Sequence, residues 1–453
     1  MHLLGSGLLV LLFSCSSYAS DPESLSNHTG SSDEVPLGYQ SDDGQMHHEL
    51  YMGFEADRLI LGDCSSCDFP NYSARGQEST LRQVLLVHRH GDRTPIKMYH
   101  KDPLSNEPFW KFHGLGQLTN RGKERIHLLG NLMRQRYRKF IKGSVSRSMI
   151  LSRSSGSVRC IESAQIFLSA FLSLNVPNSP DAGALIWYSG CEELGEVWQP
   201  ASIQTMSKSI DGMLAEGQCQ ELEDEYRKIN GSRPAQVIYR GFKQYAEIVQ
   251  EVLGYEIDIF YKWFWASGDT AIERSYFYDK VDPRILAIYD RLQEAGRLAW
   301  CAYQSTVKSR RLRSGLLIND MIDHMKKSRQ QDQLGKETKK FIHYSTHDIN
   351  VFSLLGVLGN VNRFPFSPDF GASVIAELHE DGYGEWFIKF FYMPQVPSKL
   401  YPIHIEACEY DHPKKLCTLD RLEAVMQPYI VENWQTWMKE CRNDIQNIDP
   451  YAP

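Results

Sequence analysis

Residues 84–95 read VLLVHRHGDRTP, and the fold turns on how they are parsed. Val84, Leu85, Leu86 and Val87 form an apolar run of strand length. They lead without a break into His88, Arg89, His90, Gly91, Asp92, Arg93, Thr94 and Pro95. The pattern predicts a buried strand over 83–88 whose carboxyl end carries a dense polar cluster. Two further short strands are expected in MILS (149–152) and FIHYS (341–345). Each also runs into chemistry-bearing residues: Arg153 follows the second, and His347-Asp348 follows the third.

Longer helical patterns separate these runs. The clearest covers 121–140, with Ile126, Leu129, Met133, Tyr137 and Phe140 on one stripe at helical spacing. Thr119 or Asn120 is placed to cap it. Arg134, Arg136, Arg138 and Lys139 are expected on its solvated face. Strands alternating with helices imply an α/β fold with a mostly parallel central sheet flanked by helices. The segment 374–393 differs: two β-rich runs around Asp-Gly-Tyr-Gly predict a hairpin near the sheet edge. The aromatic, helical block 191–310 is expected to be an inserted α-helical cap domain. That leaves 80–190 and 311–453 as the α/β domain.

With 453 residues, 42% of them apolar and 23% charged, the chain can bury a large core. Its net charge of −7 excludes a nucleic-acid binder that works through a generally basic surface. Residues 1–19 carry a short apolar run from Leu3 to Phe13, then small residues, as a secretory signal peptide does. The run is too short to span a bilayer comfortably, and no other stretch approaches a membrane span, so none is expected in the mature chain. The segment 20–79 is expected to be an acidic, disordered leader; its first part, 20–50, has seven acidic residues and no Lys or Arg. Sequons at Asn27, Asn71 and Asn230 agree with passage through a secretory, oxidising compartment. Removing Cys15 with the signal leaves nine cysteines, an odd number.

In an open α/β sheet, ligands bind beyond the carboxyl ends of the strands, so the three strand ends can converge. The resulting site would hold Arg89, Arg93, Arg153, His90, His347, Asp92 and Asp348. Several guanidiniums in one pocket need an anion, and their fork suits phosphate oxygens. Neutral imidazole is a good nucleophile toward phosphorus, and surrounding positive charge keeps it neutral. His90 is therefore the candidate nucleophile and Asp348 the candidate proton donor to the leaving alkoxide. No metal or other cofactor is required. His343 and His347 stand four apart, which on a helix could hold a metal; on the strand expected here they sit too far apart. Arg159 is as available as Arg153 for the third cationic place.

On these residues the chain resembles the histidine acid phosphatases, in branch 2 of the histidine phosphatase superfamily. Arg-His-Gly-Asp-Arg-Thr-Pro at 89–95 matches the family's signature, and His347-Asp348 its distal partner. Gly-Leu-Gly-Gln-Leu-Thr at 114–119 followed by Gly122, and Gly-Leu-Leu-Ile-Asn-Asp at 315–320 running to His324-Met325, are similar as well. The likeness covers about 80–445. It implies a phosphoglycerate mutase-like α/β domain with a smaller helical cap, and hydrolysis of phosphate monoesters through a phosphohistidine. By position, His90 is the nucleophile, Asp348 the donor, and Arg89, Arg93, Arg153 and His347 bind the phosphoryl oxygens. Asp92 is implied to support the arginines. Cys219 with Cys441, and Cys408 with Cys417, are implied as disulfides; Cys64, Cys67, Cys160, Cys191 and Cys301 are left without inherited partners.

The chain departs from the family at Ser154-Ser155-Gly156-Ser157-Val158, where acidic residues are common. The expected substrates are small phosphate monoesters or phosphorylated lipids or proteins, without nucleic acid. Family members often dimerise, which makes a homodimer a reasonable assembly. The expected setting is extracellular, with the lysosomal lumen as the alternative. Two rival functions are a secreted phosphate-ester binding protein without turnover, and a phytase-like or lysophosphatidate-directed phosphatase.

Overall fold

The strand that opens the domain, β1 (Leu81–Arg89), is buried on both faces, with Val84 to Val87 fully inaccessible. Such a strand belongs at the centre of a sheet covered on both sides, and that is where it lies in the computed structural model. The structure describes residues 79–141, 147–172, 200–215, 217–259, 262–360, 363–364, 367–409 and 415–442. Asn27, Asn71, Cys64, Cys67, Cys191 and the signal and leader segments lie outside them.

β2 (Ile150–Ser155), β3 (Ile203–Met206) and β4 (Phe341–Thr346) complete a parallel half in the order β3-β2-β4-β1. β5 (Ser373–Glu380) then pairs with β1 in antiparallel register, followed by β6 (Trp386–Met393), β7 (Tyr401–Ile403) and β8 (Cys417–Thr418). The sheet is thus mixed. The expected hairpin is formed by β5 and β6 and lies near the sheet edge, one short strand in from it. Both strands are almost entirely buried, and an edge strand would leave one row of backbone groups open; β7 and β8 continue the sheet beyond them.

Helices cover both faces. α1 (Asn120–Tyr137) is capped by Thr119, whose side chain accepts from the Gly122 N–H at 3.2 Å. α2 (Val158–Phe171) packs against α1 and against the sheet, and its Phe167 stacks on His343 of β4 with ring centroids 4.4 Å apart. On the other face, α4 (Val307–Gln333) takes the Tyr344 hydroxyl on Asp320 at 2.7 Å, and α5 (Asp348–Val357) packs against β1. Successive strand residues point to opposite faces, which is why His343 and Tyr344 meet different helices. Between the two faces in sequence come several helices, among them α3 (Lys262–Phe277). Within the helical block Trp263 and Trp300 are packed inside, while Tyr278 is exposed.

One helix-face expectation is overturned. Arg136 is buried, not solvated, and its guanidinium donates to Glu377 of β5 at 2.7 Å. The Tyr137 hydroxyl donates to the same Glu377 oxygen at 2.8 Å. The inherited disulfides Cys219–Cys441 and Cys408–Cys417 are both formed. Cys301, whose pairing the sequence leaves open, is also disulfide-bonded, while Cys160 is free and buried.

Candidate active site

The backbone sets the site before any side chain does. The β1 ladder extends one residue past its end, with the His90 N–H donating to Thr346 O at 2.9 Å. The chain then turns against the start of α1. A Cβ on Gly91 would lie 2.4 Å from Gly122 O, and one on Gly122 would lie 2.2 Å from Asp92 O. Neither position tolerates a side chain. The close approach that Gly91 permits is therefore to the helix, which fixes the loop carrying His90 and Arg93. Asp92 locks the same junction. It accepts from Arg121 Nε at 2.9 Å and Arg125 Nε at 2.6 Å, both on α1. Burial alone would push its carboxyl up, but Arg125 and Arg121 outweigh that and hold it below its usual range. Asp92 does contact arginines, though not Arg89 or Arg93.

His90 is buried, and its tautomer follows from its two neighbours. Gly91 O, 2.8 Å from Nδ1, can only accept, so Nδ1 carries the proton. Nε2 then holds a lone pair, toward which Arg159 Nε donates at 3.0 Å. Burial first, and then Arg159, Arg89, His347 and Arg93, push the imidazole well below its usual range, so it is neutral. A neutral ring with a lone pair directed at a guanidinium is poised to attack an electrophile bound by that guanidinium.

Arg159, in the first turn of α2, is the cation that reaches His90, and it also reaches His347 Nδ1 at 3.3 Å. Arg153 does not join them. β2 continues through Ser155, which leaves Arg153 inside the strand and facing α4, where it pairs with Asp320 at 3.0 Å. His347 receives Arg159 on Nδ1, so Nε2 carries its proton toward Ser155 Oγ at 2.9 Å, with Ser157 Oγ at 3.3 Å. Burial and Arg159 push it down to about 3. The serines at the family's usual acidic stretch thus support His347 rather than Arg153. The free Cys160 Sγ lies within 3.8 Å of both His347 ring nitrogens, and burial pushes its thiol up to about 12.

Arg89 and Asp348 face each other across the strand ends, with Nη2 2.8 Å from Oδ2. Arg89 also donates to Pro368 O at 2.6 Å and lies 4.0 Å over the Phe370 ring. Asp348 opens α5 and accepts from the Ile349 N–H at 2.9 Å. Burial raises its pKa, but Arg89, Arg93 and His347 together bring it below the usual carboxylate range. Arg93 is buried and donates to Thr94 O at 3.0 Å; burial pulls it down to about 10, so it stays charged at neutral and acid pH.

The arrangement therefore brings together Arg89, His90, Arg93, His347 and Asp348, adds Arg159, and leaves out Arg153. Below it, His88 and His343 form a buried hydrogen-bonded pair, Nε2 to Nε2 at 2.8 Å, with Ser152 Oγ on His343 Nδ1 at 2.8 Å. Burial holds His88 down to about 4, so this pair is a neutral support under the site. Sequence reasoning missed Ser155, Ser157, Phe370 and Asp269, the last 3.9 Å from Arg93. Ser155 and Ser157 flank the strand–helix turn before Arg159, but nothing local signals Phe370 or Asp269.

The family model of the histidine phosphatase superfamily (branch 2) matches residues 80–393. Human prostatic acid phosphatase is 29% identical over 370 residues, spanning 80% of this chain and 88% of that protein. Lysosomal acid phosphatase of Xenopus laevis is 25% identical, spanning 81% of this chain and 80% of that protein. Among solved structures, the phytase of Citrobacter braakii superposes with a TM-score of 0.55 at 14% identity, covering 80% of this chain and 99% of that one. Hafnia alvei phytase, in complex with myo-inositol hexakis sulphate, gives a TM-score of 0.54 at 13% identity, covering 78% and 97%. At those identities the likeness is one of fold.

Proposed function

The chain belongs to the histidine phosphatase superfamily, branch 2, as an acid phosphatase of phosphate monoesters, and we propose that it works through a phosphohistidine on His90 Nε2. The observation that carries this reading is the His90 environment: Nδ1–H fixed on Gly91 O and Nε2 facing Arg159 at 3.0 Å. Arg89, Arg93 and Arg159 take the phosphoryl oxygens and neutralise charge that develops on them. Nε2 attacks phosphorus while the ester oxygen departs and takes the proton of Asp348. The Asp348 carboxylate then removes a proton from water, whose oxygen attacks the phosphohistidine. Inorganic phosphate leaves, and His90 and Asp348 return to their starting states. His347, held by Ser155, adds a ring to the cradle. The helical block reaches the site through α3, whose Ser275 and Tyr276 contact Arg121 and Thr119; this supports its role as a cap.

The direct test is alkaline quenching of turnover with a ³²P-labelled ester. Label bound covalently to His90 is the expected result. Turnover without any labelled protein would mean that water attacks the ester directly. A non-hydrolytic binding protein would have no use for a neutral, oriented His90 beside an acidic partner, and measurable turnover excludes it. The paired disulfides support an extracellular or lysosomal setting. Asn230, half-buried at the end of the helix Gln220–Gly231, remains the proposed glycan site within the described residues.

Arg159→Ala is expected to lower kcat/KM for p-nitrophenyl phosphate by about 10²–10³. Arg153→Ala, which breaks the pair with Asp320 and touches none of the groups around His90, should stay within about tenfold of the parent. Equal losses in the two variants would return the phosphate-binding role to Arg153.

A further inference from the structure

Behind Arg93 the structure buries three carboxyl groups, Asp102, Asp269 and Glu273. Asp269 projects from α3, with Oδ1 3.9 Å from Arg93 Nη1. That is an ion pair but too long for a hydrogen bond. Its Oδ2 accepts from the Tyr99 hydroxyl at 3.1 Å, while Oδ1 has no hydrogen-bond partner. Arg93 takes its orientation from elsewhere, through burial and its bond to Thr94 O. Asp269 therefore gives Arg93 a charge rather than a direction.

We propose that Asp269 is a proton-linked counter-charge to Arg93: its carboxylate competes with the phosphoryl group for the guanidinium, so that anion binding takes up a proton at Asp269. The inference rests on Arg93 holding the phosphoryl group, as proposed above. Two anions on opposite sides of one buried cation weaken each other's hold, and protonating the inner one releases the cation to the outer.

The groups that face Asp269 are consistent with a proton moving in the working range. Around it stand Arg93, Tyr99, the Ile96 backbone N–H, and the carboxyls of Asp102 and Glu273. Tyr255 packs on Tyr99 at 4.6 Å, and Lys97 Nζ lies 5.1 Å from the centre of the Tyr255 ring. Arg89, Arg159 and Asp348 lie beyond Arg93. Burial pushes Asp269 up to about 6, against the pull of Arg93 and the Tyr99 hydrogen bond. Glu273 is held protonated well above its usual range by burial and by Asp102. His90 and His347 are pushed down. Asp348 is also pushed down in the free site but is moved back toward its acid when an anion takes up Arg89 and Arg93, so the Asp269 variant is what separates the two carboxyls.

Sulfate tests this, because it mimics phosphate and does not titrate between pH 5 and 7.5. Its affinity is measured by calorimetry and as a competitive inhibitor of p-nitrophenyl phosphate turnover. In the parent, binding should weaken about tenfold from pH 5 to 7.5, with proton uptake seen in two buffers of different ionisation heat. Asp269→Asn should bind sulfate at least about threefold more tightly than the parent at pH 7.5, with a profile clearly shallower than the parent's. Tyr99→Phe removes a bond that favours the carboxylate, so it should move the midpoint to higher pH; it keeps the test alive if Asp269→Asn does not fold. An Asp269→Asn or Tyr99→Phe profile that overlies the parent's would overturn the linkage alone. Sulfate that fails to bind the parent at any pH would overturn the phosphate-site reading and the linkage with it.

Discussion

Replacing His90 with glycine is expected to lower kcat for p-nitrophenyl phosphate by at least about 10⁴, the scale set by loss of a covalent nucleophile. Added imidazole should restore part of that activity. The reasoning starts from the ring's surroundings. His90 is buried, and its removal leaves a cavity bounded by Gly91 O and Arg159 Nε, the two groups that orient the native ring. Free imidazole entering that cavity can donate to the carbonyl and present its other nitrogen to phosphorus. The arginines still hold the ester, so the KM should change far less than kcat. Phosphoimidazole would form and then hydrolyse, and its appearance in the quench identifies the route. Residual activity above one-tenth of the parent without imidazole would remove His90 as nucleophile.

Much of this site is written locally in the chain. An apolar run that ends on Arg89-His90 must finish at the rim of a core, because four buried apolar residues place the strand and the charges that follow cannot be buried unpaired. The same argument places His347-Asp348 after β4. Parallel order brings those ends together, and the hydrogen bond from His90 N to Thr346 O is the physical form of that convergence.

What was not legible depends on distant partners or on where a strand stops. Arg153 follows an apolar stretch and looks like a strand terminus. The strand runs two residues further because Ser154 and Ser155 continue the ladder to β4 and β3. Arg153 is thereby turned toward Asp320, and the terminus passes to the first turn of α2, where Arg159 sits. Arg136 shows the same limit on a helix. It stands beside the apolar stripe, and the counter-charge that makes its burial tolerable is Glu377, 241 residues away. Asp269 likewise belongs to a helix whose sequence gives no sign that it faces Arg93. The hairpin of β5 and β6 was legible as a hairpin, yet its place in the sheet is set by β1 on one side and β7 on the other, which no turn signal encodes.

The second large effect concerns Asp348, and its sign follows from its neighbours. A donor must be protonated when the ester breaks. Burial favours that form, but Arg89, Arg93 and His347 outweigh it, so in the free site Asp348 is a carboxylate paired with Arg89 at 2.8 Å. The phosphoryl group, by taking up the charge of Arg89 and Arg93, moves the balance back toward the acid. Because the folded pKa lies below the ordinary carboxylate value, the protonated fraction grows as pH falls throughout the range from 7 to 4. Turnover of an alkyl phosphate should rise over that range. Asp348→Asn has no such proton, and its profile over the same range should flatten. For an alkyl ester, kcat/KM should fall by about 10³, the middle of what general acid catalysis contributes. For p-nitrophenyl phosphate the loss should be much smaller, because p-nitrophenolate departs without a proton. The ratio kcat/KM is the right measure, since it reports only steps up to phosphoryl transfer onto His90. The later attack of water also needs the Asp348 carboxylate, so the variant should release a burst of one p-nitrophenol per site and then stall as the phosphohistidine. Equal losses for the two esters would deny Asp348 the role of donor, and the absence of a burst would deny it the role of base.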